Sequence, residues 1–182
     1  MSLPNGAKKV FEGVMFSLYQ WEQEQFDGSF KTFEAVCRED SVQAIATTSD
    51  KKLILLKEEQ PFHGSFISLP GGVCDSNLPS EDIKRELLEE IGVVPSDLIL
   101  WKATKFSSKV HWKNHYFFAK NCKKIQEPRL DAGERIEPLF LSFDEFIDLV
   151  LSDDFRNKEF ACLILRMLHD GSIEDFKELI FS

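Results

Sequence analysis

The feature that most constrains this chain is an acidic helix predicted near its middle. Ile83, Leu87 and Ile91 recur at a spacing of four residues, as on one face of an α-helix, and Gly92 follows where helices commonly end. Three carboxylates fall on the neighbouring arc, within roughly 100° of one another. They belong to Glu86, Glu89 and Glu90. The pattern predicts a helix over about residues 80–91, with its apolar residues facing a core.

Carboxylates crowded on one helix face repel each other, and two interpretations remain. A solvated acidic face is the commoner one for three glutamates alone. A divalent cation is the alternative, because hard cations bind carboxylate oxygens. The preceding Gly71–Gly72 pair favours the cation, since paired glycines let the backbone approach a ligand and a carbonyl there can complete a metal site. Arg85 lies one turn before Glu89 and can hold it in place.

The segment resembles the signature of the Nudix hydrolase family: Gly, five residues, Glu, seven residues, then Arg-Glu-apolar-x-Glu-Glu-x-Gly-apolar. Gly71 and the run from Arg85 to Val93 match it strictly. Asn77 stands where the family has Glu, whose main part is to help orient the helix arginine. If Gly72 were the anchor, the loop would be one residue short. The departure at Asn77 puts the support of Arg85 in doubt and leaves the helix carboxylates intact.

The resemblance implies a hydrolase of phosphoanhydride bonds that uses Mg²⁺ or Mn²⁺. Glu86 and Glu90 are then expected to be the main metal ligands, with Glu89 supporting them and Gly71 offering a backbone carbonyl. The expected substrate is a small nucleotide that carries a diphosphate. Because the chain has a net charge of −9, a cation between protein and substrate would also offset the repulsion of an anionic ligand.

Within the family, the chain resembles the branch of ADP-ribose pyrophosphatases and nucleoside-diphosphate-sugar hydrolases. Residues 11–19, 26–28 and 34–38 resemble that branch's N-terminal sheet, which often packs across a dimer and helps to bind the base. Residues 131–137 resemble its acidic loop, which supplies a catalytic or metal-binding glutamate. The resemblance therefore favours Glu134 as the general base, with Glu137 second and Glu86 as the alternative. The expected catalytic set is Glu86, Glu134, Glu137 and Arg85.

Two departures leave the sugar and the base open. The branch often has a proline about sixteen residues past the signature, where this chain reads Phe106-Ser107-Ser108-Lys109. It also often has an arginine after the strand that precedes the signature, where this chain reads Glu58-Glu59-Gln60-Pro61. ADP-ribose and other nucleotide sugars are therefore both expected substrates.

The predicted fold class is α+β, a Nudix-type mixed sheet sandwiched between helices and preceded by a small antiparallel sheet. The N-terminal sheet is assigned to residues 1–40 and the hydrolase domain to residues 41–182. Strands are predicted at 11–21, 29–38, 41–48, 52–57, 66–69, 99–104, 110–119 and 139–141. Further helices are predicted at 143–151, 156–168 and 173–180, and residues 120–137 are expected to be loop-like. His111 and His115 share one face of the 110–119 segment, which predicts a half-exposed strand rather than a metal site.

Aromatic residues of the N-terminal sheet are candidates for base binding. Tyr19 and Trp21 share a strand face by the period of two, so one of them is expected to stack on a nucleobase, although ordinary sheet packing is the alternative. Arg38 could bind a phosphate bidentately or form a surface salt bridge. Because a small sheet with many apolar residues cannot bury both of its faces alone, a homodimer is also expected.

Composition excludes several other classes of protein. The acidic balance and the lack of a long basic run argue against a nucleic-acid duplex as partner. The apolar runs are too short to span a membrane. Four widely separated cysteines predict neither disulfides nor a zinc site, and they favour a cytoplasmic protein. A nucleoside-triphosphate or cap-type hydrolase and a non-catalytic nucleotide-sugar-binding module remain as alternatives. The retained carboxylates argue against the binding module, and Asn77 is the one feature that points to it.

Overall fold

The computed structural model of the chain describes residues 3–76, 78–105 and 109–182. Asn77 and residues 106–108 lie outside this part of the chain. The interpretations attached to Asn77 and to the missing proline therefore stay predictions.

In the described part of the chain, strands come first, one helix interrupts them, and the remaining helices follow at the end. The first strands are β1 (Lys8–Glu12), β2 (Ser17–Glu24), β3 (Phe30–Cys37), β4 (Ser41–Thr48), β5 (Leu53–Gln60), β6 (Gly64–Ser68) and β7 (Gly71–Val73). Helix α1 (Pro79–Ile91) follows, and then β8 (Val93–Val94), β9 (Asp97–Lys105), β10 (Val110–His111), β11 (Lys113–Lys124) and β12 (Arg135–Leu141). The chain continues with α2 (Phe143–Val150), α3 (Lys158–Asp170) and α4 (Ile173–Phe181). No helix in the described residues is long and apolar enough to cross a membrane.

The larger sheet is mixed and has β4 and β11 at its centre. These two strands are parallel, and β5 and β12 extend the sheet antiparallel beyond β4. On β4, Val42, Ala44 and Ala46 point to one face and Ile45 to the other, and all four are buried. A strand that is covered on both faces has a nearly continuous apolar sequence, as this segment has.

Helices cover the two faces of this sheet with different cores. Ile83 and Leu87 of α1 pack on one face against small residues of β4 and β11. On the other face α2, α3 and α4 enclose an aromatic cluster centred on Phe160, whose ring contacts Tyr116 and Phe176. The sheet is thus sandwiched between helices, as the sequence predicted.

Three predictions about strands are wrong. Residues 11–21 form two strands, because the Gly13 N–H donates to the Phe16 carbonyl (2.8 Å) and closes a turn between β1 and β2. The segment 110–119 breaks at Trp112. From Tyr116 to Lys120, β11 is not half-exposed but buried on both faces, because α1 covers one face of the sheet and α2, α3 and α4 cover the other. Residues 120–137 are not all loop: β11 continues to Lys124 and β12 begins at Arg135.

The smaller sheet joins the N-terminal strands to a later part of the chain. Its order is β1-β2-β3-β10, with β10 parallel to β3. Several large apolar side chains of this sheet and its turns are exposed. They are Val10, Phe11, Val14, Met15, Phe16, Phe26, Phe30 and Phe33.

Candidate metal and catalytic site

Local interactions fix both ends of α1. Pro79 occupies the first turn, where its missing N–H costs nothing. The buried carboxylate of Asp82 accepts hydrogen bonds from the N–H (3.2 Å) and hydroxyl (2.9 Å) of Ser76, and so holds the preceding loop against the helix. Gly92 ends the helix at φ 69°, and its N–H donates to the Leu88 carbonyl. The helix register, and with it the direction of each glutamate, is therefore set locally.

The glycine pair before the helix lies in strand β7 rather than in a tight turn. Gly71 has φ 145°, and a Cβ there would overlap the carbonyl oxygen of Val42. A Cβ on Gly72 would overlap the carboxylate of Glu86. Gly71 is therefore required by its close approach to the backbone of β4, whereas a side chain at Gly72 would displace the carboxylate of Glu86.

Glu86 and Glu90 are not part of a solvated acidic face. Only 8% of Glu90 is exposed, and its Oε2 accepts a hydrogen bond from the Gly71 N–H at 2.9 Å. Burial raises the pKa of Glu90 well above its usual value, and the charges of Glu58 and Glu86 add to that rise. Burial also raises the pKa of Glu86, against the opposing effect of Arg85. This face of α1 therefore concentrates negative charge where water cannot screen it fully.

Glu58 is an acidic residue of this region that the sequence interpretation missed. It lies on β5, is 7% exposed, and accepts a hydrogen bond from the Ser68 hydroxyl. Burial raises its pKa, and Glu134 raises it further, while Ser68 and Arg156 oppose the rise. The sequence feature that could have revealed it is the alternation along β5. Glu58 lies on the same face of the strand as Ile54 and Leu56, which face α1.

Arg85 is bound to several acceptors at once. Its Nη1 donates to Glu89 Oε2 (2.7 Å), as the spacing on the helix predicted. Its Nη2 lies 2.8 Å from Glu86 Oε1, 3.2 Å from Asp75 Oδ2 and 3.3 Å from the Val73 carbonyl. The guanidinium thus links α1 to the end of β7 and to the loop that follows.

A cleft of about 510 Å³ lies over this part of the molecule. The described residues that line it are Gly71, Gly72, Val73, Asp75, Arg85, Glu86, Glu89, Glu90, Arg129, Leu130, Asp131 and Glu134. The Arg129 N–H donates to the Glu89 carbonyl (2.7 Å) and so ties the acidic loop to α1. The fold brings Glu134 into the cleft. Glu137 is exposed on β12, pairs with Lys57, and is not among the described lining residues.

The three residues predicted to bind the base or a phosphate are not among the described lining residues of this cleft either. Tyr19 and Trp21 are half-buried on β2, where the Trp21 ring contacts Phe33 and lines a separate pocket of about 470 Å³. The Arg38 guanidinium lies 5.1 Å from the Trp112 ring centroid and 3.4 Å from the Ser41 hydroxyl. Burial lowers the pKa of Arg38, and the charge of Arg156 lowers it further.

The donor set of the cleft fits a hard divalent cation. Burial raises the pKa of Glu90 and of Glu86, and neighbouring acids raise both further. A divalent cation would offset both effects, and oxygen is the ligand that such cations prefer. No three acidic, His or Cys side chains in the described ranges already converge as a ligand set. Glu86 is turned to Arg85, and Glu90 to the Gly71 N–H. Each of these bonds uses one oxygen of its carboxylate, so Oε2 of Glu86 and Oε1 of Glu90 are the oxygens that can bind a cation while the protein contacts are kept.

Comparison with known proteins identifies the family. Residues 38–164 match the NUDIX domain family. The chain belongs to the Nudix family. The match includes the glycine pair, all of α1 and the loop that carries Glu134, which confirms the family predicted from the signature.

Similar proteins extend the likeness beyond this Nudix domain. The chain is 26% identical over 163 residues to an ADP-ribose pyrophosphatase of Bacillus subtilis (strain 168). The match covers 86% of this chain and 87% of the relative. It also resembles the crystal structure of an ADP compounds hydrolase, with a TM-score of 0.73, 20% identity and coverage of 92% of this chain and 94% of that one. This structural match confirms the predicted Nudix fold class.

Proposed function

We propose that this Nudix protein hydrolyses the diphosphate bond of a nucleoside diphosphate linked to a sugar, such as ADP-ribose. The observation that carries the proposal is that Glu86, Glu90 and Glu134 line one cleft together with Arg85 and Arg129. Carboxylates and cations in the same cleft suit a diphosphate and its counterion better than a neutral ligand. The products would be a nucleoside monophosphate and a phosphorylated sugar.

Two further observations support this substrate class. The likeness to the ADP-ribose pyrophosphatase covers 86% of this chain and 87% of the relative, so it reaches beyond residues 38–164 that match the Nudix domain. The structurally similar protein is an ADP compounds hydrolase, and it too is matched over nearly its whole length. A substrate with bulky groups on both sides of its diphosphate needs contacts beyond the cleft, and the N-terminal sheet is available for them.

Magnesium, or manganese, would be held by Glu86 and Glu90, with Glu89 in support and the Gly71 carbonyl available. When bound, such a cation neutralises phosphate charge and lowers the pKa of a coordinated water. Among the chain's own groups, Arg85 holds Glu89 and Glu86, and Gly71 orients Glu90 through its N–H. Glu134 lines the same cleft and is the proposed acceptor of the proton from the attacking water, with Glu86 as the alternative. Glu137 is the less favoured candidate because it lies on the exposed part of β12.

Assembly and location are part of the same proposal. We propose a homodimer in which the exposed apolar residues of the N-terminal sheet are covered by the partner, and in which Tyr19, Trp21 and Arg38 contribute to base or phosphate binding. Residues 1–40 would then be the dimer and base-binding element, and residues 41–182 the hydrolase domain. The four cysteines are free thiols, which supports a reducing compartment such as the cytoplasm.

A substrate panel tests the function directly. ADP-ribose, other nucleotide sugars, nucleoside triphosphates and a capped dinucleotide are incubated with the protein and Mg²⁺ or Mn²⁺, and products are separated by chromatography. We expect diphosphate-linked sugars to be cleaved at least about tenfold more efficiently than nucleoside triphosphates, a difference of about 1.4 kcal/mol in transition-state binding. Preference for a triphosphate would reject the substrate class, and binding without cleavage of any compound would favour a sensing module.

A further inference from the structure

Asp75 is an exposed acidic residue at the rim of the cleft, in the loop between β7 and α1. Its Oδ2 lies 3.2 Å from Arg85 Nη2, on the side of the guanidinium that also faces the Val73 carbonyl. The side chain of Asp75 is 71% exposed and that of Arg85 is 37% exposed. The contact therefore joins a residue of the cleft wall to one at its open edge.

The acceptors around Arg85 compete with one another. Nη2 carries two hydrogens, and three oxygens surround it, from Glu86, Asp75 and Val73. Glu86 is also one of the carboxylates that must turn toward a cation. An arginine held only by Glu86 and Glu89 would have both of its carboxylate partners on its own helix. Asp75 offers the same Nη2 an acceptor outside the helix, and charge-assisted hydrogen bonds of this kind are strong enough to fix the direction of the guanidinium.

We propose that Asp75 is a positioning residue for the metal and catalytic site, which it serves by anchoring Arg85 to the loop. Arg85 then fixes the direction of Glu86 through Oε1 and leaves Oε2 for the cation. The inference rests on the proposed function only in taking Glu86 as a metal ligand. Asp75 thereby supplies the carboxylate that position 77, an asparagine, cannot supply. It acts through Arg85 and need not touch the substrate.

Because the Asp75–Arg85 ion pair is exposed, a positioning role for Asp75 can be distinguished from a role in stabilising the fold. Ion pairs between exposed side chains contribute little to the free energy of unfolding. Loss of Asp75 should therefore leave the fold and its thermal stability intact while the direction of Arg85 changes. A merely structural residue would show the opposite pattern, with a fall in Tm and no specific change in cation affinity.

The test compares Asp75→Asn, Asp75→Glu and a matched control, Glu81→Gln. Glu81 is also an exposed acid near the start of α1, paired with Lys84 at 2.9 Å, and it is not among the described lining residues of the cleft. Mn²⁺ affinity is measured by electron paramagnetic resonance without substrate, and kcat, KM and Tm are measured on the same preparations. We expect Asp75→Asn to weaken Mn²⁺ binding and to lower kcat by about tenfold each, as for other residues that orient metal ligands, with little change in KM or Tm. Asp75→Glu should retain most of the wild-type affinity, and Glu81→Gln all of it.

A second variant asks whether the carboxylate acts through Arg85. In an Arg85→Gln background, the guanidinium that Asp75 would hold is absent. We expect Asp75→Asn to cause no further loss of Mn²⁺ affinity in that background. A further loss of about tenfold would show that the acid does not act by holding the arginine and would overturn the proposal.

Two further outcomes also overturn it. One is wild-type Mn²⁺ affinity in Asp75→Asn. The other is a deficit that disappears at about 0.5 M salt, since long-range attraction is screened there and fixed geometry is not. The affinity measurement needs no turnover. A wild-type protein that cleaves none of the substrates would therefore reject the proposed function and still leave the inference on Asp75 decided by its own result.

Discussion

The acidic cleft and the N-terminal sheet differ in what they expose to water. Glu90 in the cleft is only 8% exposed, and Glu58, which acts on Glu90 electrostatically from β5, is only 7% exposed, although each carries a carboxyl group. In the N-terminal sheet, Phe11 and Phe30 are 59% and 62% exposed although each is an aromatic hydrocarbon. Ordinary globular surfaces place these residue types the other way round.

The comparison shows that each region is unfavourable on its own, one because it buries like charges and the other because it exposes aromatic rings. Buried like charges are unfavourable until a cation joins them, and exposed aromatic rings are unfavourable until another surface covers them. The core around Phe160 is complete within the chain, with Phe146 and Phe155 fully buried beside it. The unfinished regions are therefore the places where binding is expected, a metal and a diphosphate in one and a second protomer in the other.

The strongest test of the cleft is to remove one buried charge. Glu90→Gln keeps the shape of the side chain and its acceptor for the Gly71 N–H, but it removes a proposed metal ligand. We expect turnover to fall by about 10²–10³ at limiting Mg²⁺, because a catalytic cation contributes several kcal/mol to the transition state. Steady-state rates over a Mg²⁺ titration measure this. Wild-type turnover in the variant would show that the metal is bound elsewhere, and Glu81→Gln on the same helix serves as the control.

The corresponding test of the N-terminal sheet is to remove two exposed rings. Phe11→Ser combined with Phe30→Ser should weaken self-association by about 100-fold or more, since buried aromatic anchors contribute about 2 kcal/mol each. Light scattering and sedimentation measure the oligomeric state across a range of concentrations. The matched control is Phe62→Ser with Phe140→Ser, which removes two exposed rings outside this sheet. A wild-type protein that is monomeric at micromolar concentration would remove the dimer from the proposal.

A smaller effect is expected where the two regions would cooperate. If Trp21 stacks on the base, Trp21→Ala should raise KM by about fivefold to tenfold and leave kcat nearly unchanged, because stacking acts equally in the ground and transition states. Steady-state kinetics with the best diphosphate substrate separates the two constants. An unchanged KM would confine Trp21 to packing, as its contact with Phe33 already permits.

Helix α1 and the central strands could be predicted because their signals are local. The spacing of Ile83, Leu87 and Ile91 fixed one face of the helix, and Gly92 adopts the left-handed conformation expected where the helix ends. The paired glycines pointed to a close backbone approach, which the structure shows against Val42 and Glu86. The resemblance to the Nudix signature then predicted that the glycine pair and the helix glutamates belong to one site.

Glu58 and Asp75 could not be recognised in the same way, because their importance depends on contacts distant in sequence. Glu58 is buried by β6, through Ser68, and comes within the electrostatic range of Glu90 only when β5 lies beside α1. Asp75 is one of several loop acids until Arg85 is seen to reach it. The start of β12 was missed for a related reason: charged residues alternate there along an edge strand whose pairing with β5 is not encoded locally.

The smallest expected effect concerns the free energy of unfolding when no metal is present. Burial raises the pKa of Glu58 in the folded protein, so below the usual pKa of glutamate the residue is protonated in both states and costs nothing. As the pH rises through the usual pKa toward the raised folded value, the unfolded state loses its proton first, and stability falls.

Glu58→Gln should therefore raise Tm in EDTA at pH 8 by about 2–4 °C, corresponding to about 1 kcal/mol, and by much less at pH 4. Glu59→Gln is the control, because Glu59 is the exposed neighbour that pairs with Arg135 at 3.2 Å. Differential scanning calorimetry at the two pH values decides the question: a lower Tm for Glu58→Gln at pH 8 would mean that Ser68 and Arg156 already compensate the buried charge. In that case Glu58, unlike the exposed rings of the N-terminal sheet, would need no partner from outside the chain.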